Sequence, residues 1–112
     1  MTTTAPTGIR QLTVQDLKAL LDSRAPLQLL DVRSEAERRL AKIEGARHLD
    51  RKAVPEIDEL DPDTLLVFLC HHGIRSQAAA QHFQSKGFTN LGNVVGGIDA
   101  WSAEVDPSVP RY

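Results

Sequence analysis

Two periods of apolar residues organise this chain. Leu65-Leu66-Val67-Phe68-Leu69 is unbroken and Leu27-Gln28-Leu29-Leu30 nearly so. Runs of that length predict strands, and runs with no polar face predict strands covered on both sides. Ile9 to Leu12, Ala46 to Leu49 and Thr89 to Val95 predict three shorter strands, the first at a sheet edge. Between strands the period changes. Val14, Leu17, Leu20 and Leu21 recur at helical spacing behind Thr13, a cap with Asp16 three places on, and predict a helix to about Ser23. Ser34 to Leu40 repeats the signal, with Ser34 as cap and Glu37 in the capping-box position. A third helix is expected over Arg51 to Leu60, starting near Asp50, and a fourth over Ser76 to Lys86, with Ala79 and Phe83 on one face and Gly87 as its stop. Pro26 and Asp61-Pro62-Asp63 mark turns. Alternating strands and helices imply an α/β domain with a mostly parallel sheet.

Composition narrows the picture. At 112 residues there is room for one domain. Residues 1–8 are expected to be a flexible tail, 9–105 the domain, and 106–112, with Pro107 and Pro110, a tail lying along the surface. Thirteen Lys and Arg against fifteen Asp and Glu give a net charge of −2, so nucleic acid and anionic membranes are not expected partners. One local exception is the basic stretch from Arg38 to Lys52, whose only acids are Glu44 and Asp50. It is expected to be a solvated face. Neither a signal-peptide pattern nor an apolar stretch near the roughly 20 residues of a spanning helix is present. A lone cysteine excludes an internal disulfide, and a cytoplasmic protein is expected.

That cysteine carries the candidate chemistry. Cys70 ends the strongest apolar run and opens a loop, His71-His72-Gly73-Ile74-Arg75-Ser76, that leads into a helix. Amides of such a loop and of the first helical turn have no intrahelical partner, so they and the helix dipole form an anion site that favours the thiolate. Gly73 is expected to take a backbone conformation other residues resist. Asp31 and Arg33 end the other strong strand, at the same sheet edge. They are expected chiefly as a structural ion pair, with Arg33 available to orient an anion. Cys70, His71 and His72 lack a fourth ligand at suitable spacing, so no metal is expected. His48, alone beside a short strand, is left out of the site.

Cys70-x-x-Gly73-x-Arg75-Ser76 resembles the active-site loop of single-domain rhodanese sulfurtransferases. Asp31-Val32-Arg33 followed by Glu37 and Gly45-Ala46, and Gly96-Gly97 followed by Ala100-Trp101, resemble two further motifs of that family in the same order. Arg38 and Ala41-Lys42-Ile43 depart from its usual pattern. The resemblance spans about residues 9–105 and implies a three-layer domain, a five-stranded sheet with helices on both faces. It further implies that Cys70 carries a sulfane sulfur as a persulfide, taken from thiosulfate and given to cyanide, a thiol or a sulfur-carrier protein, with no cofactor. Loop amides from His71 to Ser76 would stabilise the persulfide anion. Arg75 would bind the donor's sulfonate or brace the loop, and Ser76 would cap the helix and donate a hydrogen bond. A persulfide carrier or docking module with little turnover is the alternative. Rhodanese-fold phosphatases place five residues between cysteine and arginine, whereas Cys70 and Arg75 have four between them, which disfavours phosphate.

Overall fold

The central apolar run sorts alternately onto the two faces of one sheet. Leu65, Val67 and Leu69 pack with Val14, Leu17, Ile98 and Trp101. Leu66 and Phe68 pack with Ile57, Ala80 and Phe83. Successive strand side chains point to opposite faces, so an unbroken apolar run requires a helical layer on each side. The computed structural model describes residues 8–112 and supplies both layers. Most of the expected N-terminal tail, residues 1–7, lies outside the described residues.

In chain order the elements are β1 (Ile9–Leu12), α1 (Val14–Asp22), β2 (Gln28–Asp31), α2 (Glu35–Leu40), β3 (Arg47–His48), α3 (Ala53–Asp58), β4 (Leu66–Leu69), α4 (Ile74–Ser85), β5 (Leu91–Val94) and α5 (Gly97–Glu104). The strands lie in the order β1-β5-β4-β2-β3, and every pairing is parallel. Residues of α1 and α5 belong to one core cluster, those of α3 and α4 to the other. The fold is therefore the expected three-layer α/β domain, with β1 at an edge. Asp31 pairs with Leu69, which brings the carboxyl ends of β2 and β4 side by side and places Cys70 next to the Asp31-to-Arg33 turn.

Both predicted capping boxes form, Thr13 with Asp16 and Ser34 with Glu37. Two helix starts differ from expectation. Asp50 does accept from the Ala53 amide, at 2.9 Å, but regular helix begins only at Ala53 and ends at Asp58. α4 begins at Ile74, two residues early, because Gly73 at φ +100° turns the chain straight into the helix. Ser76 is consequently not its cap, and Ile74, Arg75 and Ser76 form the first turn.

Asp31 and Arg33 form the buried pair that fixes α2. Both side chains are fully enclosed. The Arg33 guanidinium donates to the two Asp31 carboxylate oxygens at 2.9 and 2.7 Å and to the carbonyls of Ala41 and Glu37 at 2.7 and 3.3 Å. Burial acts against its charge, but Asp31 and Tyr112 together outweigh it and raise its pKa. Fully enclosed, Arg33 thus ties the end of β2 to α2. His48 is likewise structural, its Nε2 lying 2.8 Å from the Arg33 carbonyl.

Replacing Arg33 with Met leaves the enclosed Asp31 carboxylate with the amide of residue 33, at 3.1 Å, and Arg38 Nε, at 3.3 Å, but without its paired guanidinium. Breaking a buried pair on one side costs about 3–5 kcal/mol, and a urea titration of Arg33→Met should show a loss of that order. A loss near zero would mean that the pair is not the brace.

Candidate active site

The site is built on the end of β4, where every residue is buried and Cys70 itself is 1% exposed. Its backbone is held from the far side by α5. The Ile98 amide donates to the Cys70 carbonyl at 2.9 Å and the Asp99 amide to the His71 carbonyl at 3.1 Å. Gly97 makes this approach possible: it adopts φ +60°, and a Cβ there would overlap both carbonyl oxygens. With those carbonyls turned toward α5, the loop can wrap its amides around the sulfur. The Gly73 amide donates to Cys70 Sγ at 3.0 Å, and Ser76 Oγ lies 3.2 Å from the same sulfur. Gly73 is confined as well, since a Cβ would come within 3.0 Å of the Val94 carbonyl.

Two opposing influences act on the thiol. Burial pushes its pKa up, but hydrogen bonds from the Ser76 hydroxyl and from the Ser76, Gly73 and His72 amides outweigh burial and bring it below that of an ordinary cysteine. The dipole of α4, twelve residues long, acts in the same sense. These contacts favour the thiolate, the nucleophilic form of a cysteine.

Arg75 is engaged by Glu37. Its two terminal nitrogens donate to the two Glu37 oxygens at 2.7 and 2.8 Å, tying α4 to α2. The Arg75 guanidinium holds the Glu37 carboxyl far below the usual carboxylate range, and Glu37 raises Arg75 in return. Tyr112 completes the junction, donating to Glu37 at 2.8 Å and accepting from Arg33 at 2.9 Å. Its ring stacks on His71, with centroids 3.9 Å apart and planes within 6°. The segment expected along the surface therefore reaches the active loop, and Val109 on the way is buried in the core.

The remaining loop residues sit as follows. Ile74 projects into solvent, 79% exposed, and His72 is also exposed. His71 is half-buried, with no hydrogen-bond partner at Nε2. His71, His72 and Asp99 bring potential ligand atoms within 4.8 Å of one another. Both Asp99 oxygens, however, already accept from Arg111, at 3.0 Å each, so this is not a free ligand set.

Four residues of this site were not picked out from sequence as part of it. Glu37 was read as a cap and as part of the Asp31-Val32-Arg33 motif but not as the partner of Arg75, and Tyr112 and Asp99 carry no local signal. Asn93 does carry one. It is a polar residue inside a fully buried strand, and its side-chain oxygen lies 2.5 Å from Ser76 Oγ.

Comparison with known proteins now bears on this geometry. A profile of the rhodanese-like domain matches residues 13–104. The chain belongs to the rhodanese-like domain family. A solved rhodanese-related protein from Thermoplasma volcanium superposes with a TM-score of 0.71 at 27% identity, over 92% of this chain and 99% of that one. The thiosulfate sulfurtransferase GlpE of Pseudomonas paraeruginosa is 37% identical over 75 residues, 66% of this chain and 68% of GlpE. Adenylyltransferase and sulfurtransferase MOCS3-1 of Zea mays is 33% identical over 110 residues, 91% of this chain. The rhodanese domain described here spans only 24% of that maize protein.

The Glu37–Arg75 pair sets an acid dependence of stability. In the unfolded chain Glu37 titrates near 4.5 and in the folded domain far lower, so the pair's contribution is present above about 4.5 and is lost as pH falls through the folded value. Urea midpoints of wild type and Glu37→Gln should differ most near neutral pH and converge well below 4.5. An equal gap at both would assign the acid dependence elsewhere.

Proposed function

We propose that this rhodanese domain moves a sulfane sulfur from thiosulfate or a related donor to a thiophilic acceptor through a persulfide on Cys70. The carrying observation is the cradle itself: Cys70 Sγ receives the Gly73 amide while the loop carbonyls are drawn off by α5. In the first step the Cys70 thiolate attacks the outer sulfur of thiosulfate. The donor's S–S bond breaks, sulfite leaves with its electron pair, and Cys70 carries a terminal persulfide anion. In the second step cyanide or a thiolate attacks that terminal sulfur. The new S–S bond breaks, its pair returns to Cys70, and thiocyanate or an acceptor persulfide departs. Loop amides from His71 to Ser76 stabilise the anion at each stage. The chain has no second cysteine, so the acceptor must come from outside it. A cytoplasmic setting suits a single reactive thiol.

One observation favours a second reading, a relay carrier that receives or delivers sulfur at a partner protein, such as a sulfur carrier. Arg75 is engaged through both terminal nitrogens by Glu37, which leaves the donor's sulfonate to the loop amides. Similarity to one segment of a longer sulfurtransferase supports the same reading.

Intact mass after thiosulfate alone, followed by a thiocyanate assay with cyanide, separates the two. Wild type should gain one sulfur atom and form thiocyanate, and Cys70→Ala should do neither. A mass gain without turnover favours the relay. No gain on reduced, folded protein would defeat the thiosulfate reading.

A further inference from the structure

A chain of hydrogen bonds runs from the reactive sulfur to the domain surface, and its polarity can be worked out. Asn93 Nδ2 lies 3.1 Å from the Gly73 carbonyl and 3.0 Å from Gln11 Oε1. A backbone carbonyl only accepts, so the amino side of the Asn93 amide must face Gly73. Oδ1 is thereby turned toward Ser76 Oγ, 2.5 Å away. Two oxygens that close share a proton, and Asn93 Oδ1 has none to give. While Cys70 is a neutral thiol, the single Ser76 hydroxyl proton is therefore held by Asn93, and Ser76 presents a lone pair to Sγ at 3.2 Å. Farther out, Gln11 Nε2 donates to Gln77 Oε1 at 2.8 Å. Donation thus runs one way from the thiol through Ser76, Asn93 and Gln11 to Gln77. Ser76 and Asn93 are 0% and 3% exposed, so water does not substitute freely for a missing partner.

We infer that Asn93 is a positioning residue that competes with Cys70 for the Ser76 hydroxyl proton and so limits the support this hydroxyl gives the thiolate. The neutral thiol fits this chain, donating its S–H to Ser76. When the thiol proton leaves for water, the sulfur faces an oxygen lone pair unless the hydroxyl turns from Asn93 to Sγ. That turn leaves Asn93 Oδ1 buried without its donor, an unfavourable state. The support Ser76 gives the thiolate is therefore available only against the pull of Asn93. The inference rests on Cys70 as the reacting group, but not on which sulfur donor loads it.

Alkylation by iodoacetamide reads Cys70 without any sulfur donor, because the chain has no other cysteine. Removing the competing acceptor in Asn93→Ala should move the pH midpoint of alkylation down by about half to one unit. In a Ser76→Ala background the same change should leave the midpoint in place. A residue that merely braced the loop would behave oppositely, since losing its bond to the Gly73 carbonyl would loosen the Gly73 amide at the sulfur and raise the midpoint. A rise, no shift, or an equal shift in both backgrounds overturns the proposal. Should Asn93→Ala fail to fold, the S–H stretch of wild type at acidic pH decides. A band shifted to the hydrogen-bonded side, and lost in Ser76→Ala, supports the assigned direction, and a band at the free-thiol position refutes it.

Discussion

Two backbone hydrogen bonds, from Ile98 and Asp99 at the start of α5 to the carbonyls of Cys70 and His71, decide which way the active loop faces. A peptide group presents its carbonyl to one side and its amide to the other, so drawing two carbonyls away commits the loop to turning amides toward the sulfur. Reversed, the same loop would set oxygen lone pairs around Cys70 and oppose any negative charge there. The arrangement depends on Gly97, where a side chain would collide with both carbonyls, and on the packing of α5. Trp101 and Ile98 hold that helix in the core shared with Leu17 and Val67. A site carried by β4 and α4 is therefore oriented by a helix that follows it in the chain.

α2 is placed on different terms. It has six residues and none is buried, so neither cooperative helix formation nor apolar burial fixes it. Polar bonds at both ends do. Ser34 and Glu37 close its first turn, and Arg33 gathers the Glu37 and Ala41 carbonyls at its other end. Glu37 then serves twice, since the carboxylate that reaches back to the Ser34 amide also grips Arg75. Partly exposed pairs such as Glu37–Arg75 contribute modestly and only where Glu37 is ionised, and buried ones such as Asp31–Arg33 largely offset their own desolvation. What the network supplies is position: it joins β2, α2, α4 and Tyr112 at the rim of the sulfur site.

Features encoded within a few residues were readable in the sequence. The unbroken run ending in Cys70 identified the central strand, and Thr13-x-x-Asp16 and Ser34-x-x-Glu37 located two helix starts, because strand burial and capping are local. α4 was placed two residues late because Ser76 resembles a side-chain cap, whereas a left-handed glycine starts the helix through backbone geometry alone. Arg75 could be assigned to donor or brace with equal ease, since its partner Glu37 lies 38 residues away. Tyr112 and Glu37 are separated by 75 residues, and no periodicity joins them. Asn93 was the readable exception: a polar residue within Leu91–Val94, all buried, must find partners inside the fold.

The balance of charge near Cys70 follows from these pairings. Arg75 is matched by Glu37 and Arg111 by Asp99, so negative charge at the sulfur is met by the Ser76 hydroxyl, the loop amides and the α4 dipole. Amide dipoles neither titrate nor leave, and inside the fold salt screens them little. They act at short range on a charge held against them, which describes a thiolate at Cys70. A dianionic group gains less from dipoles alone than from a free cation, because its second charge lies farther from the donors. With Arg75 bound to Glu37, the cradle is matched to a single negative charge at Sγ more closely than to a free dianion above it.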